Sequence, residues 1–212
     1  MRIAGGILLA AAALEILAMA HHPTIVTPDV AEAIRQIVRF SALAAWVHGV
    51  LMSLMLLVAY GMSEFTLRRG WSRALIRAGA VAYGAGVLVM LGAALVSGFV
   101  LPDLAKWAPH LSVADLQIDA QLFILCRALN QSCANFGVVA MSAGIGLWSI
   151  DLLRSAGLPR AVGVMGCVVS LVPAAGLVSG SFRLDVHGMS AVALMQSIWT
   201  IGVAMLLLKR SI

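Results

Sequence analysis

The chain has 212 residues, of which 62% are hydrophobic and only 11% are charged, and its formal net charge is +5. A soluble domain has about 45–50% apolar and about 25% charged residues, so this composition excludes an ordinary water-facing surface. The basic residues are spread over short loops, which is typical of membrane topology signals and argues against nucleic-acid binding.

Apolar runs of about 20 residues recur along the chain, and this is the length that crosses about 30 Å of hydrocarbon as a helix. The sequence therefore predicts an all-α polytopic membrane bundle that forms a single integral-membrane domain over residues 1–212. We expect six transmembrane helices at about 3–20, 41–63, 75–101, 121–150, 160–180 and 188–208.

The first helix has two interpretations. Its basic start and the small residues Ala18-Met19-Ala20 fit a secretory signal, but Glu15 within the apolar stretch favours a retained helix. Three helices open alike, with "RIAGGILL", "RAGAVAYG" and "RAVGVMGC". This similarity supports the hypothesis of three repeated helical hairpins.

Two segments between the spans carry helical signals of their own. In "DVAEAIRQIVRF" (29–40) the apolar residues recur at helical spacing, so we expect a short amphipathic helix on the membrane surface or over a pocket. The stretch "LSVADLQID" (111–119) is expected to extend the fourth transmembrane helix outward, with Ser112 as its N-cap.

The distribution of basic residues predicts the orientation. The connections 64–74 and 151–159, with their flanking residues and the two chain ends, hold nine basic residues, against four on the opposite side. By the positive-inside rule this places both termini of a multi-pass protein in the cytoplasm. The membrane is expected to be a bacterial inner membrane.

Polar residues gather in the outer halves of several helices. Glu15 and His22 in "LEILAMAHHPTIV" are seven residues apart and therefore share a helix face. All five histidines, including His110, fall at or near the outer side. Because a charge in the bilayer centre costs about 2.5–3.5 kcal/mol on insertion scales, we expect these groups to face a polar, periplasm-facing pocket between helices one, two, four and the start of six. Glu15 is expected to pair with Arg127, His48 or His22.

The predicted site follows from this grouping. The ligand-binding candidates are Glu15, His22, His48, Arg127, Asn130 and Gln131. A metal ion or haem is a candidate cofactor, with His21, His22, His48 and His187 as candidate ligands. No HExxH, CxxC, GxSxG or Walker motif is present, so no catalytic residue is assigned.

The "RIAGGILL" opening, the long loop after "HHP" and the basic "EFTLRRGWSR" segment resemble, in layout, uncharacterised bacterial six-helix inner-membrane protein families. The resemblance implies no activity. Our leading hypothesis is a pocket that binds a metal ion, haem or small ligand. One alternative is a non-catalytic accessory subunit that packs against other membrane subunits in the bilayer, and another is a membrane enzyme that uses Glu15 or His48 as acid or base.

Overall fold

The computed structural model of the chain describes residues 2–24, 27, 29–107 and 113–211. It is all-helical over these residues, and six helical stretches are long and apolar enough to cross a membrane. The six-helix membrane bundle is therefore confirmed. The elements are α1 (Arg2–Ala20), α2 (Val30–Gly70), α3 (Ala74–Leu95), a π-helical turn (Val96–Val100), α4 (Leu101–Trp107), α5 (Val113–Leu152), α6 (Leu158–Val178) and α7 (Val186–Lys209).

We call the end of the bundle with the connections 21–29 and 179–185 the histidine end, and the end with the connections 71–73 and 153–157 the arginine end. Helix α1 packs mainly against α7 and α2, whereas α5 packs against α3 and α6. The two terminal helices of the chain are therefore neighbours.

Helix α2 is much longer than predicted, because its 41 residues include residues 30–40 of the segment expected to form a separate amphipathic helix. The Asp29 carboxylate caps the helix by accepting a hydrogen bond from the Ala31 backbone N–H at 3.0 Å. No proline or glycine follows until Gly49, so nothing interrupts the hydrogen-bond ladder before the membrane span. The separate surface helix is thus a wrong prediction.

The third span is one rod from Ala74 to Trp107 that contains the π-helical turn Val96–Val100. Pro102 explains the turn, because proline lacks an N–H and its ring would clash with the carbonyl four residues earlier, at Gly98. The helix widens at this turn, where the Leu101 N–H donates a hydrogen bond to the Val96 carbonyl. Single π-helical turns inside α-helices are frequent at functional sites.

Helix α5 starts at Val113, so the predicted outward extension of the fourth span is confirmed from that residue onward. The expected cap Ser112 and the loop residue His110 lie outside the described residues.

Helices α3 and α5 approach closely through small residues. A Cβ added to Gly86 would lie 2.8 Å from the Gly137 carbonyl oxygen, and one added to Gly144 would lie 2.8 Å from the Gly79 carbonyl oxygen. Such backbone contact compensates for the missing hydrophobic force between helices in lipid.

Beside this contact, Trp148 of α5 stacks on Trp199 of α7 at a centroid distance of 6.1 Å. The ring of Phe65 is edge-on to both indoles.

The arginine end is closed by a buried ion cluster. The side chain of Asp151 is 2% exposed and accepts hydrogen bonds from Arg69, whose Nε lies 2.9 Å from Oδ2. Arg73 reaches the same carboxylate from the surface at 3.2 Å. From the sequence alone, these arginines are topology signals only. The structure shows that Arg69 also joins the end of α2 to α5, and that Arg73, the residue before α3, joins the start of α3 to the same aspartate.

Candidate functional site

A cavity of about 740 Å³ opens within the histidine half of the bundle. Its walls come from α1, α2, the third span, α5, α6, α7 and the connection before α7. The lining includes all six residues predicted to bind a ligand, namely Glu15, His22, His48, Arg127, Asn130 and Gln131. Whether they bind one stays a prediction.

His22 and His48 meet at the cavity wall. Their Nε2 atoms lie 3.3 Å apart, and their rings are edge to face with centroids 4.8 Å apart. His22 Nδ1 bonds the Pro23 carbonyl at 3.0 Å, and His48 Nδ1 bonds the Ala44 carbonyl at 2.8 Å. Burial lowers the pKa of His22, which lies just beyond the end of α1, below its ordinary value of 6.5.

The π-helical turn positions His48. An added Cβ on Gly98 would overlap the His48 Cβ and would lie 2.7 Å from its Cγ. His48 itself is buried, with 6% of its surface exposed. The widened turn thus presents a residue without a side chain where the imidazole needs space.

Glu15 lies deeper in the cavity, on the face of α1 that meets α7. Its Oε2 accepts a hydrogen bond from the Ser197 hydroxyl at 3.4 Å, and it forms no ion pair with another described residue. The expected pairing with Arg127, His48 or His22 is therefore wrong. Helix α1 packs against α7 rather than α5, so a serine of α7 is the neighbour.

Helix α5 contributes a row of amide side chains to the cavity wall. Gln131 Nε2 donates to Asn135 Oδ1 at 3.0 Å, and Asn130 lies beside them in the lining. Arg127 is exposed and takes part in no ion pair among the described residues. This wall therefore presents hydrogen-bonding groups and one cation to the cavity.

The four histidines predicted as metal ligands do not come together. His21 is exposed and its Nδ1 bonds the Leu17 carbonyl at 2.9 Å, while His187 is exposed and outside the cavity lining. Within the described part of the chain, no group of three or more His, Cys, Asp or Glu residues is placed to hold a metal ion. Only His22 and His48 remain as a pair.

The sequence reasoning missed two features of the cavity. Five methionines line it, namely Met19, Met55, Met90, Met141 and Met189. Helix α7 adds Gln196, whose Nε2 lies 3.5 Å from the Ser142 hydroxyl. Gln196 is a lone amide within the apolar run of the last helix. Because polar side chains in a membrane span usually face the bundle interior, the sequence could have indicated this position.

No protein-family model matches this chain, and neither a curated protein nor a solved structure is significantly similar to it.

Proposed function

We propose that this multi-pass membrane protein binds a small amphipathic molecule in the cavity of its histidine half. The observation that carries the proposal is the cavity itself. Its volume of about 740 Å³ lies within the roughly 300–1,000 Å³ of typical small-molecule sites. Such sites combine mainly apolar walls with a few convergent polar groups.

The composition of the wall indicates the class of ligand. Methionine, alanine and valine side chains form much of the lining, and methionine adapts to varied apolar shapes. Polar groups are contributed by the histidine pair, the α5 amides and Arg127, with Glu15 and Gln196 deeper on α1 and α7. We therefore infer an apolar molecular body with at least one hydrogen-bonding or anionic group.

Haem fits this arrangement poorly. Two axial histidines with metal–nitrogen bonds of about 2.0 Å need their nitrogens about 4 Å apart across the iron. The Nε2 atoms of His22 and His48 are 3.3 Å apart. The side chains present therefore support an organic ligand over a haem between these two rings.

The cellular setting forms part of the proposal. We infer a bacterial inner membrane, and the excess of basic residues at the arginine end supports an orientation with both termini in the cytoplasm. In that orientation the cavity faces the periplasm, so its ligand enters from that side.

Native mass spectrometry of the detergent-purified protein tests the proposal. We expect an adduct of small-molecule mass on the parent chain, identified after solvent extraction. Ala193→Trp places a large side chain at the cavity wall and should remove the adduct. Ala191→Trp is the matched control, because Ala191 is exposed on the same helix and outside the lining. A parent chain without an adduct, or equal adducts in both variants, would contradict the proposal.

A further inference from the structure

The hydrogen bonds of the histidine pair determine where its protons are. A carbonyl oxygen can only accept a hydrogen bond, so the nitrogen facing it must carry the hydrogen. His22 Nδ1 faces the Pro23 carbonyl and His48 Nδ1 faces the Ala44 carbonyl. In the neutral form of each ring, Nε2 therefore carries a lone pair and no hydrogen.

Two bare Nε2 atoms therefore lie 3.3 Å apart at the wall of an open cavity. Two facing lone pairs repel unless a cation lies between them. A shared proton would form a charge-assisted hydrogen bond, and such bonds are short, at about 2.7–2.9 Å. Two metal–nitrogen bonds of about 2.0–2.1 Å at a tetrahedral angle place the nitrogens about 3.3–3.4 Å apart, which matches the observed separation.

We propose that His22 and His48 form one half of a metal site, in which their Nε2 atoms bind one divalent transition-metal ion of the zinc class. No third His, Cys, Asp or Glu completes the set among the described residues. The remaining positions of the ion therefore belong to water or to the molecule in the cavity. This inference rests on the proposed function, because the ion would lie at the polar wall of the same cavity.

Two further features support a built site. Metal-binding histidines nearly always donate their second ring N–H to a carbonyl or carboxylate, which fixes the tautomer, and both rings do so here. The π-helical turn also holds His48 in place, since a side chain at position 98 would collide with the ring. The His48 imidazole is thus oriented by the Ala44 carbonyl at Nδ1 and by the close approach of Gly98.

Titration with Co²⁺ tests the site, because a tetrahedral Co²⁺ complex has visible absorption bands. The full chain is purified with an affinity tag free of histidine, treated with a chelator and titrated in detergent. We expect about one bound Co²⁺ per chain, displaced by Zn²⁺. His22→Gln and His48→Gln should each abolish the bands, whereas His21→Gln and His187→Gln should retain them.

Gly98→Ala provides a test that removes no nitrogen ligand. The added methyl displaces the His48 ring, so we expect at least a tenfold loss of Co²⁺ affinity. Gly92→Ala is the control in the same rod, because no described residue places an atom within 4 Å of its Cβ position. Circular dichroism of each variant checks that the bundle is folded. If His48→Gln unfolds, His22→Gln still tests the site, because His22 lies outside any helix.

The inference is wrong if the parent chain binds no Co²⁺, or if binding survives in both His22→Gln and His48→Gln. It is also wrong if ¹⁵N spectra show a proton shared between the rings in the presence of Zn²⁺. Failure here is distinct from failure of the proposed function. An organic adduct without Co²⁺ binding overturns only the metal site, whereas Co²⁺ binding without an organic adduct overturns the proposed small-molecule ligand.

Discussion

Asp151, near the end of α5, accepts hydrogen bonds from Arg69, near the end of α2, across 82 residues of sequence. Both side chains are largely shielded, with 2% of the aspartate and 10% of the arginine side chain exposed. A charge in such a position is tolerated because its partner and further hydrogen bonds replace the lost hydration. The pair therefore stabilises the contact between α2 and α5 at the arginine end.

Asp151→Ala should be strongly destabilising, because it leaves the Arg69 guanidinium shielded and unpaired. Removal of one partner from a buried ion pair costs about 3–5 kcal/mol. Arg73→Ala is the control, since its side chain is 54% exposed and exposed pairs contribute about 0–1 kcal/mol. Thermal unfolding in detergent measures both variants. Similar melting temperatures for the two would contradict a structural role for the buried pair.

The hydrogen bond between Ser197 and Glu15 should couple α1 to α7. Glu15→Ala leaves a buried hydroxyl without this partner, at a cost of about 1–3 kcal/mol. Glu15→Gln keeps an acceptor oxygen and should be milder. A double-mutant cycle with Ser197→Ala measures the interaction, for which we expect a coupling energy of about 1 kcal/mol. Additive effects would show that the two side chains act independently.

Gly166→Ala should destabilise the contact between α6 and its neighbours. An added Cβ would overlap the Ser149 hydroxyl and the Trp199 indole nitrogen, both of which are buried. Overpacking of this kind costs about 1–3 kcal/mol. At Gly84 an added Cβ would meet no atom of the described residues within 4 Å, so Gly84→Ala should be neutral or stabilising by up to about 1 kcal/mol. A parallel loss of melting temperature in both variants would argue against the tight contact.

The proposed orientation predicts which loops can be labelled in intact cells. In a background without the three native cysteines, Thr24→Cys at the histidine end should react with a membrane-impermeant thiol reagent. Ser72→Cys at the arginine end should react only after lysis. Both residues are exposed, so access depends on the side of the membrane rather than on burial. The opposite pattern would invert the topology and place the cavity on the cytoplasmic side.

Composition and apolar run length were sufficient to predict six helices, because the hydrocarbon thickness sets the length of a span. The grouping of Glu15, His22 and His48 was also visible, since polar groups in lipid are costly and favour the bundle interior. Helical periodicity fixes which face of a helix is polar. It contains no information on which other helix lies opposite, which is why Ser197, 182 residues away, was not expected as the partner of Glu15.

The errors at helix boundaries have a similar origin. The segment 29–40 was separated from the second span because its charges mark a water-facing region, yet a change of environment does not end a helix without a breaking residue. Asp151 was overlooked because the basic residues around it were counted only for topology. Its importance depends on burial, which is a property of the folded bundle.

The stacked indoles of Trp148 and Trp199 also give the molecule an intrinsic optical signal. Their ring planes differ by only 7° and both are fully buried, on α5 and α7 respectively. Aromatic side chains in a fixed asymmetric setting produce near-ultraviolet circular dichroism, which disappears when tertiary packing is lost while helices persist. Separation of α7 from α5 should therefore abolish this dichroism before the helical signal changes, so that opening of the bundle can be followed without any attached label.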